Sequence, residues 1–158
     1  MPLETTSPTI PRPIQWRALD GVVLLDKPVG LTSNQALQAV RRLFGASKGG
    51  HTGTLDPFAT GVMVVLIGQA TRLAQFLDKD EKEYEAVIQF GSETDTGDGT
   101  GLRTADCGLR NEELEDRVAA FDWNKVFENF RGDLMQTPPM YSAKKVDGKK
   151  LYELAREG

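Results

Sequence analysis

Cysteine and histidine are almost missing from this chain: Cys107 and His51 each stand alone among 158 residues. One cysteine excludes an internal disulfide framework and any metal site built from a Cys cluster. One histidine leaves a His-based metal site dependent on carboxylates that no spacing points to. No metal or cofactor is expected. No apolar run approaches the ~20 residues of a membrane span, and the Pro-rich start MPLETTSPTIPRP lacks the apolar core of a secretory signal. Aromatics are sparse, at 8%, yet 39% hydrophobic and 27% charged residues suit a globular chain with one sizeable core. The expectation is a soluble, cytoplasmic protein consisting of one domain or part of one.

Excess positive charge is lacking too, since the formal net charge is -4. Neutralising nucleic-acid phosphates takes Lys and Arg, so the total argues against a polyanion partner. The charge is segregated, however: residues 1–80 carry +2, residues 81–140 carry -8 and residues 141–158 carry +2. A basic face on an acidic chain therefore stays open, and motifs have to decide.

Residues 1–16 have no periodicity and read as a mobile arm, to which no function is assigned, before an ordered region over residues 17–158. GVVLL (21–25) reads as a buried strand ending at Asp26-Lys27-Pro28. Thr32 or Ser33 caps a helix that places Leu37, Val40, Leu43 and Phe44 on one side and stops at Gly45. GASKGGHTGTLDPFATG (45–61) is too rich in Gly, Thr and Asp for regular structure and predicts a long exposed loop. A buried strand over GVMVVLI (61–67) and a short helix over residues 70–77, with Leu73, Phe76 and Leu77 inward, come next. In residues 83–90, alternation sets Tyr84, Ala86, Ile88 and Phe90 on one face and predicts a half-buried antiparallel strand. An acidic Gly-rich loop (92–101), helices over residues 111–121 and 123–130, a hairpin at Asp147-Gly148 and the start of a helix at 150–156 complete the pattern. Without a regular βαβ period, the expected fold class is α+β: a mixed, mainly antiparallel sheet with flanking helices.

Several motifs lead nowhere. The stretch from Gly45 to Thr52 nearly spells a phosphate-binding P-loop, but His51 stands where Lys is needed and the loop follows a helix. Ser142 and Lys145 fit Ser-x-x-Lys without the partner motifs of acyl-transfer enzymes. Asp95 and Asp98 lack the alternating ligands and closing glutamate of a calcium loop. A lone loop histidine reads first as a hydrogen-bonding or packing residue. Asp56-Pro57, taken alone, reads as a turn former whose carboxylate caps backbone N–H groups. The string GGHTGTLDPFATG instead sets that one carboxylate in a Gly-lined loop that a ligand can approach closely.

The segments LLDKPVGLTSNQALQAVRR, GGHTGTLDPFATGVMVVLIGQATRL, KEYEAVIQFGSETDTGDGTG and QTPPMYSAKKVDGKKLYELAREG resemble, in order and spacing, the TruB family of tRNA pseudouridine synthases. The resemblance runs from Gly21 to Gly158. It implies the pseudouridine synthase catalytic fold, cut short, and cofactor-free isomerisation of the T-loop uridine at tRNA position 55. The C1′–N1 bond is cut, the base turns, and it is rejoined through C5. Asp56 matches the family's catalytic aspartate, His51 the histidine that takes the place of the departing base, and Tyr84 the tyrosine that stacks on the flipped uracil. Lys27, with Pro28 and Gly30, is expected under the catalytic loop and as a candidate RNA contact. Lys144 and Lys145 are further candidate RNA contacts. The family's C-terminal part supplies an arginine that pairs with the aspartate and usually a small RNA-binding domain, neither of which is in these residues. The expected partners are therefore the tRNA T arm and a C-terminal half. Two alternatives stay open at this stage: a T-arm-binding fragment or tRNA chaperone without chemistry, and a subunit of a guide-RNA-dependent pseudouridylase.

Overall fold

The computed structural model describes residues 13–77, 81–138, 142, 145–146, 148–151 and 155. The elements are β1 (Gly21–Lys27), α1 (Ser33–Phe44), β2 (Gly49–Thr52), β3 (Gly61–Ile67), a 3-10 turn (Gly68–Leu73) and α2 (Ala74–Leu77). They continue with β4 (Ser92–Thr94), β5 (Arg103–Asp106), α3 (Asn111–Ala119), α4 (Trp123–Glu128), β6 (Lys145–Val146) and β7 (Lys149–Lys150). All ladders between these strands are antiparallel, so the fold class is α+β as the pattern predicts. The chain divides into two compact units, Met1–Tyr84 and Glu85–Gly158.

In the first unit, a three-stranded sheet of order β1-β3-β2 is covered on one face by α1. The helix starts where its sequence says it should. Thr32 Oγ1 accepts from Gln35 N at 3.1 Å, and Gln35 Oε1 accepts from Thr32 N at 2.8 Å. This reciprocal capping satisfies two of the donors left over at a helix N-terminus. Gly45 closes the helix at φ 64°, the left-handed conformation that glycine adopts without a Cβ penalty. Ala36, Leu37 and Val40 meet Ala46, Met63, Val65 and Ile67 in the core, with Leu19, Val23, Leu25 and Leu55 packed against it. Each fully buried large side chain contributes about 1.5–3 kcal/mol relative to exposure.

Five expectations are corrected here. β1 is half-buried: its side chains alternate, and Leu24 and Val62 on the far face are 72% and 73% exposed. Leu43 points to solvent, because the stripe facing the sheet runs through Ala36, Leu37 and Val40 and ends a turn earlier. The expected long loop contains a strand, Gly49–Thr52, paired to β3. Glycine suits this strand because α1 lies close: a Cβ on Gly49 would sit 3.0 Å from Arg41 Cδ and 3.2 Å from Leu37 Cδ1. The stretch after β3 begins as a 3-10 turn, with three residues per turn, which breaks the helical stripe and leaves Leu73 and Phe76 exposed. Residues 83–90 hold no regular structure; alternation marks a face, but a strand also needs a pairing partner, and none pairs with it among the described residues. Before β1, the Arg41 guanidinium lies 5.4 Å over the Trp16 ring.

In the second unit, β4 and β5 form a hairpin, and α3 and α4 fall where the periodicity places them. Trp123 anchors a small aromatic cluster with Phe90, Phe121 and Phe127 at centroid distances of 5.2, 5.6 and 6.0 Å. Of the hairpin expected at Asp147-Gly148, Asp147 lies outside the described residues, while the flanking pairs Lys145 with Lys150 and Val146 with Lys149 are antiparallel. In the acidic loop the carboxylates turn inward. Asp98 Oδ1 accepts from Thr100 N at 2.7 Å, Thr100 Oγ1 at 2.6 Å and Thr96 Oγ1 at 3.0 Å, while Asp95 Oδ1 accepts from Leu102 N at 2.7 Å.

The Thr100 hydroxyl bonded to the Asp98 carboxylate holds its pKa below the usual 3.8. A depressed folded-state pKa stabilises the loop fully above the ordinary value and loses that contribution as pH falls through the lowered one. Exchange of the Thr100 amide should therefore stay slow from neutral pH down to about 4 and accelerate only in more acidic solution. Hydrogen exchange corrected for intrinsic rates checks this, and Asp98→Asn should abolish the acid step.

Candidate active site

The loop over residues 53–60 leaves β2 and re-enters the sheet at β3, so both its ends are tied to one antiparallel ladder. His51 is paired with Val65 and Thr52 with Val64, and across the sheet Gly61 is paired with Lys27. Within the loop, Ala59 N donates to Asp56 O at 3.1 Å, closing a turn with Asp56 first and Pro57 second. Proline's fixed φ suits that second position, and it also bars Asp56 from the helical region. Asp56 is exposed, and among the described residues no hydrogen bond reaches its carboxylate. The turn is made by the backbone alone, with the acid left over.

The residues on either side of Asp56 are fastened. Leu55 N donates to Ser33 Oγ at 2.9 Å, and Ser33 Oγ donates to Leu55 O at 3.0 Å. Pro57 O accepts from Gly30 N at 2.6 Å and from Lys27 Nζ at 3.5 Å. The three outside groups come from the end of β1, the turn after it and the first residue of α1.

Lys27 is a correction. Expected as a candidate RNA contact, it is 0% exposed, with its ammonium directed to Leu31 O at 2.7 Å, Pro28 O at 3.1 Å and Pro57 O. An ammonium carries three donors and no acceptor, and three carbonyls replace its lost water. It braces the floor of the loop and has no surface to offer a phosphate.

His51 is the penultimate residue of β2, half-buried, with Nδ1 2.7 Å from Gly53 O. A carbonyl only accepts, so Nδ1 is the donor of this contact. Tyr84 is 69% exposed, and its ring stacks on no other aromatic among the described residues. Its segment nevertheless passes the loop, for a Cβ on Gly53 would lie 3.9 Å from Lys82 Cε. Lys144 lies outside the described residues, and Lys145 is described only as a member of the β6–β7 hairpin. Among the described residues no cluster of His, Cys, Asp and Glu could hold a metal ion. One participant, Ser33 as a tether of the loop, escapes a reading of the sequence, whereas Lys27 is expected under the loop from its motif. For Ser33 a signal exists, because Thr32-Ser33 offers two adjacent hydroxyls where a helix start needs one.

Residues 41–158 match the family model described as TruB family pseudouridylate synthase, N terminal domain. The chain belongs to the TruB family. Relatives named tRNA pseudouridine synthase B include that of Marinomonas sp. (strain MWYL1), 50% identical over 147 residues, which cover 91% of this chain and 45% of the relative. That of Dechloromonas aromatica is 49% identical, covering 90% of this chain and 46% of the relative. That of Bordetella parapertussis is 51% identical over 146 residues, covering 89% and 56% respectively. This TruB-family chain thus spans about half the length of the curated relatives it matches. A crystal structure of a Cbf5-Nop10-Gar1 complex has a chain with a TM-score of 0.46 and 28% identity, covering 89% of this chain and 37% of that one.

Removing the Lys27 ammonium leaves buried carbonyls without a donor, at about 1–3 kcal/mol. Lys27→Met is therefore expected to lower unfolding stability by roughly that amount, measured as a shift of the urea midpoint at unchanged slope. Stability equal to that of the parent chain would show the brace to be dispensable.

Proposed function

We propose that residues 17–158 form the N-terminal part of the catalytic domain of a cytoplasmic tRNA pseudouridine synthase that isomerises the T-loop uridine at position 55, with Asp56 as nucleophile. The observation that carries this reading is the Asp56 carboxylate, exposed and, among the described residues, reached by no hydrogen-bond donor, on a loop fastened on both sides of it. A merely structural Asp in such a turn would spend its carboxylate on backbone N–H groups, as Asp98 does. The roughly 50% identity to proteins named tRNA pseudouridine synthase B supports the same assignment.

The chemistry asks three things of the chain. The target uridine must leave the stack, at a cost of a few kcal/mol. Tyr84, exposed and close in sequence to Lys82 beside the loop, supplies an aromatic face worth ~1–3 kcal/mol to the flipped base. His51 fills the place the base vacates, its ring held by Gly53 O. Asp56 then attacks the sugar C1′ or the base as the C1′–N1 bond breaks, and a pocket keeps the uracil while it turns. C5 bonds to C1′, the bond to Asp56 breaks and frees its carboxylate, N1 gains a proton and the proton on C5 is released. Lys144 and Lys145 meet backbone phosphates of the T arm, and a C-terminal half supplies the arginine partner of Asp56.

The loss of the C5 proton gives the test. Tritium at C5 of the uridines in a T-arm stem-loop should be released by this chain, alone or with the C-terminal half of the Marinomonas relative, and Asp56→Ala should abolish the release. Tyr84→Ala is expected to weaken turnover by roughly tenfold, the equivalent of ~1.4 kcal/mol of stacking. Failure of both the chain and the reconstituted pair to release tritium while still binding the T arm would replace this reading with a binding protein that lacks chemistry.

A further inference from the structure

We propose that Ser33 is a positioning residue for Asp56, acting through the backbone of Leu55; the inference rests on the assignment of Asp56 as nucleophile. One hydroxyl satisfies both polar groups of a single loop residue, accepting from Leu55 N at 2.9 Å and donating to Leu55 O at 3.0 Å. Leu55 sits in a loop and takes part in no strand ladder, so this hydroxyl does for it what a neighbouring strand does elsewhere.

Three features make the anchor rigid. Ser33 is 3% exposed, so water does not compete for its hydroxyl. It opens α1, whose start is locked by the reciprocal Thr32–Gln35 bonds and whose face is buried at Ala36, Leu37 and Val40. With Thr32 serving as the cap, the Ser33 hydroxyl is released from the local bonding that serine usually makes at a helix start. It reaches a residue 22 positions away instead. The Leu55 side chain packs against the same core that holds α1, so both ends of the link are seated in one body. On the other side of Asp56, Gly30 N and Lys27 Nζ hold Pro57 O. The Asp56 backbone is thereby left little freedom, and the direction of its carboxylate is set from α1. Misplacing a reacting group by about 1 Å can cost on the order of 100-fold in rate.

The experiment compares Ser33→Ala and Ser33→Thr with the parent chain, using tritium release and residue-resolved hydrogen exchange. Ser33→Ala is expected to lower kcat by roughly 10–100-fold with KM within about twofold, because the substrate still binds while the nucleophile wanders. Ser33→Thr keeps the hydroxyl and should recover most of kcat. Exchange at Leu55 should accelerate in Ser33→Ala while Val40 and Val65 remain protected. Unchanged kcat in Ser33→Ala would overturn the proposal, as would a loss matched by unfolding of α1 or not rescued by threonine. Should the parent chain and its reconstituted form release no tritium, the assignment of Asp56 fails instead. Exchange then decides the anchor: selective acceleration at Leu55 upholds it, and unaltered Leu55 exchange refutes it.

Discussion

The strand Gly61–Ile67 is paired along both its edges, to Gly21–Lys27 on one side and Gly49–Thr52 on the other, and the candidate site hangs on that double pairing. It seats Met63, Val65 and Ile67 against α1, which fixes the helix that carries Ser33. It places Gly61 opposite Lys27, so that the loop re-enters the sheet beside the residue that braces it. It also holds His51 in register with Val65 at the loop's departure. A slip of one residue would turn each of these side chains to the opposite face, so sheet register and site geometry are a single constraint.

Around that frame the loop is held mainly by polar contacts to its backbone. The Lys27 ammonium, the Gly30 amide and the Ser33 hydroxyl touch main-chain atoms of Leu55 and Pro57. None of them touches the Asp56 carboxylate, whose chemistry is left to whatever enters the loop. Side chains in the loop can vary under such an arrangement as long as the path of the main chain is kept.

Much of this was legible in the sequence. The Thr32 cap, the Gly45 stop, the hydrophobic run of β3 and the helices over residues 111–121 and 123–130 each follow from local chemistry, because each depends on atoms close by in the chain. The Asp56 loop was found through its motif. What failed depended on distant atoms. Gly49 and Gly50 argue against a strand until the closeness of Arg41 and Leu37 is known. Lys27 looks like a surface lysine because nothing in its neighbours announces carbonyls converging from Leu31 and Pro57. Alternation in residues 83–90 describes a face for a partner that the described residues do not supply. Ser33 looked interchangeable with Thr32 as a cap; the structure divides their roles, one local and one long-range.

The open part of the sheet's outer face, beside a fully buried Leu66, links loop order to surface wetting. Val22, Leu24 and Val62 lie open to solvent on β1 and β3, the strands whose ends carry Lys27 and Gly61. Among the described residues β1 pairs along one edge only, which makes it the less restrained wall of this frame. It ends at Lys27, whose ammonium reaches Pro57 O at 3.5 Å. Drying that face, at about 25 cal/mol for each Å² of apolar surface covered, would stiffen the wall and narrow the spread of Asp56 orientations without any contact to the loop itself.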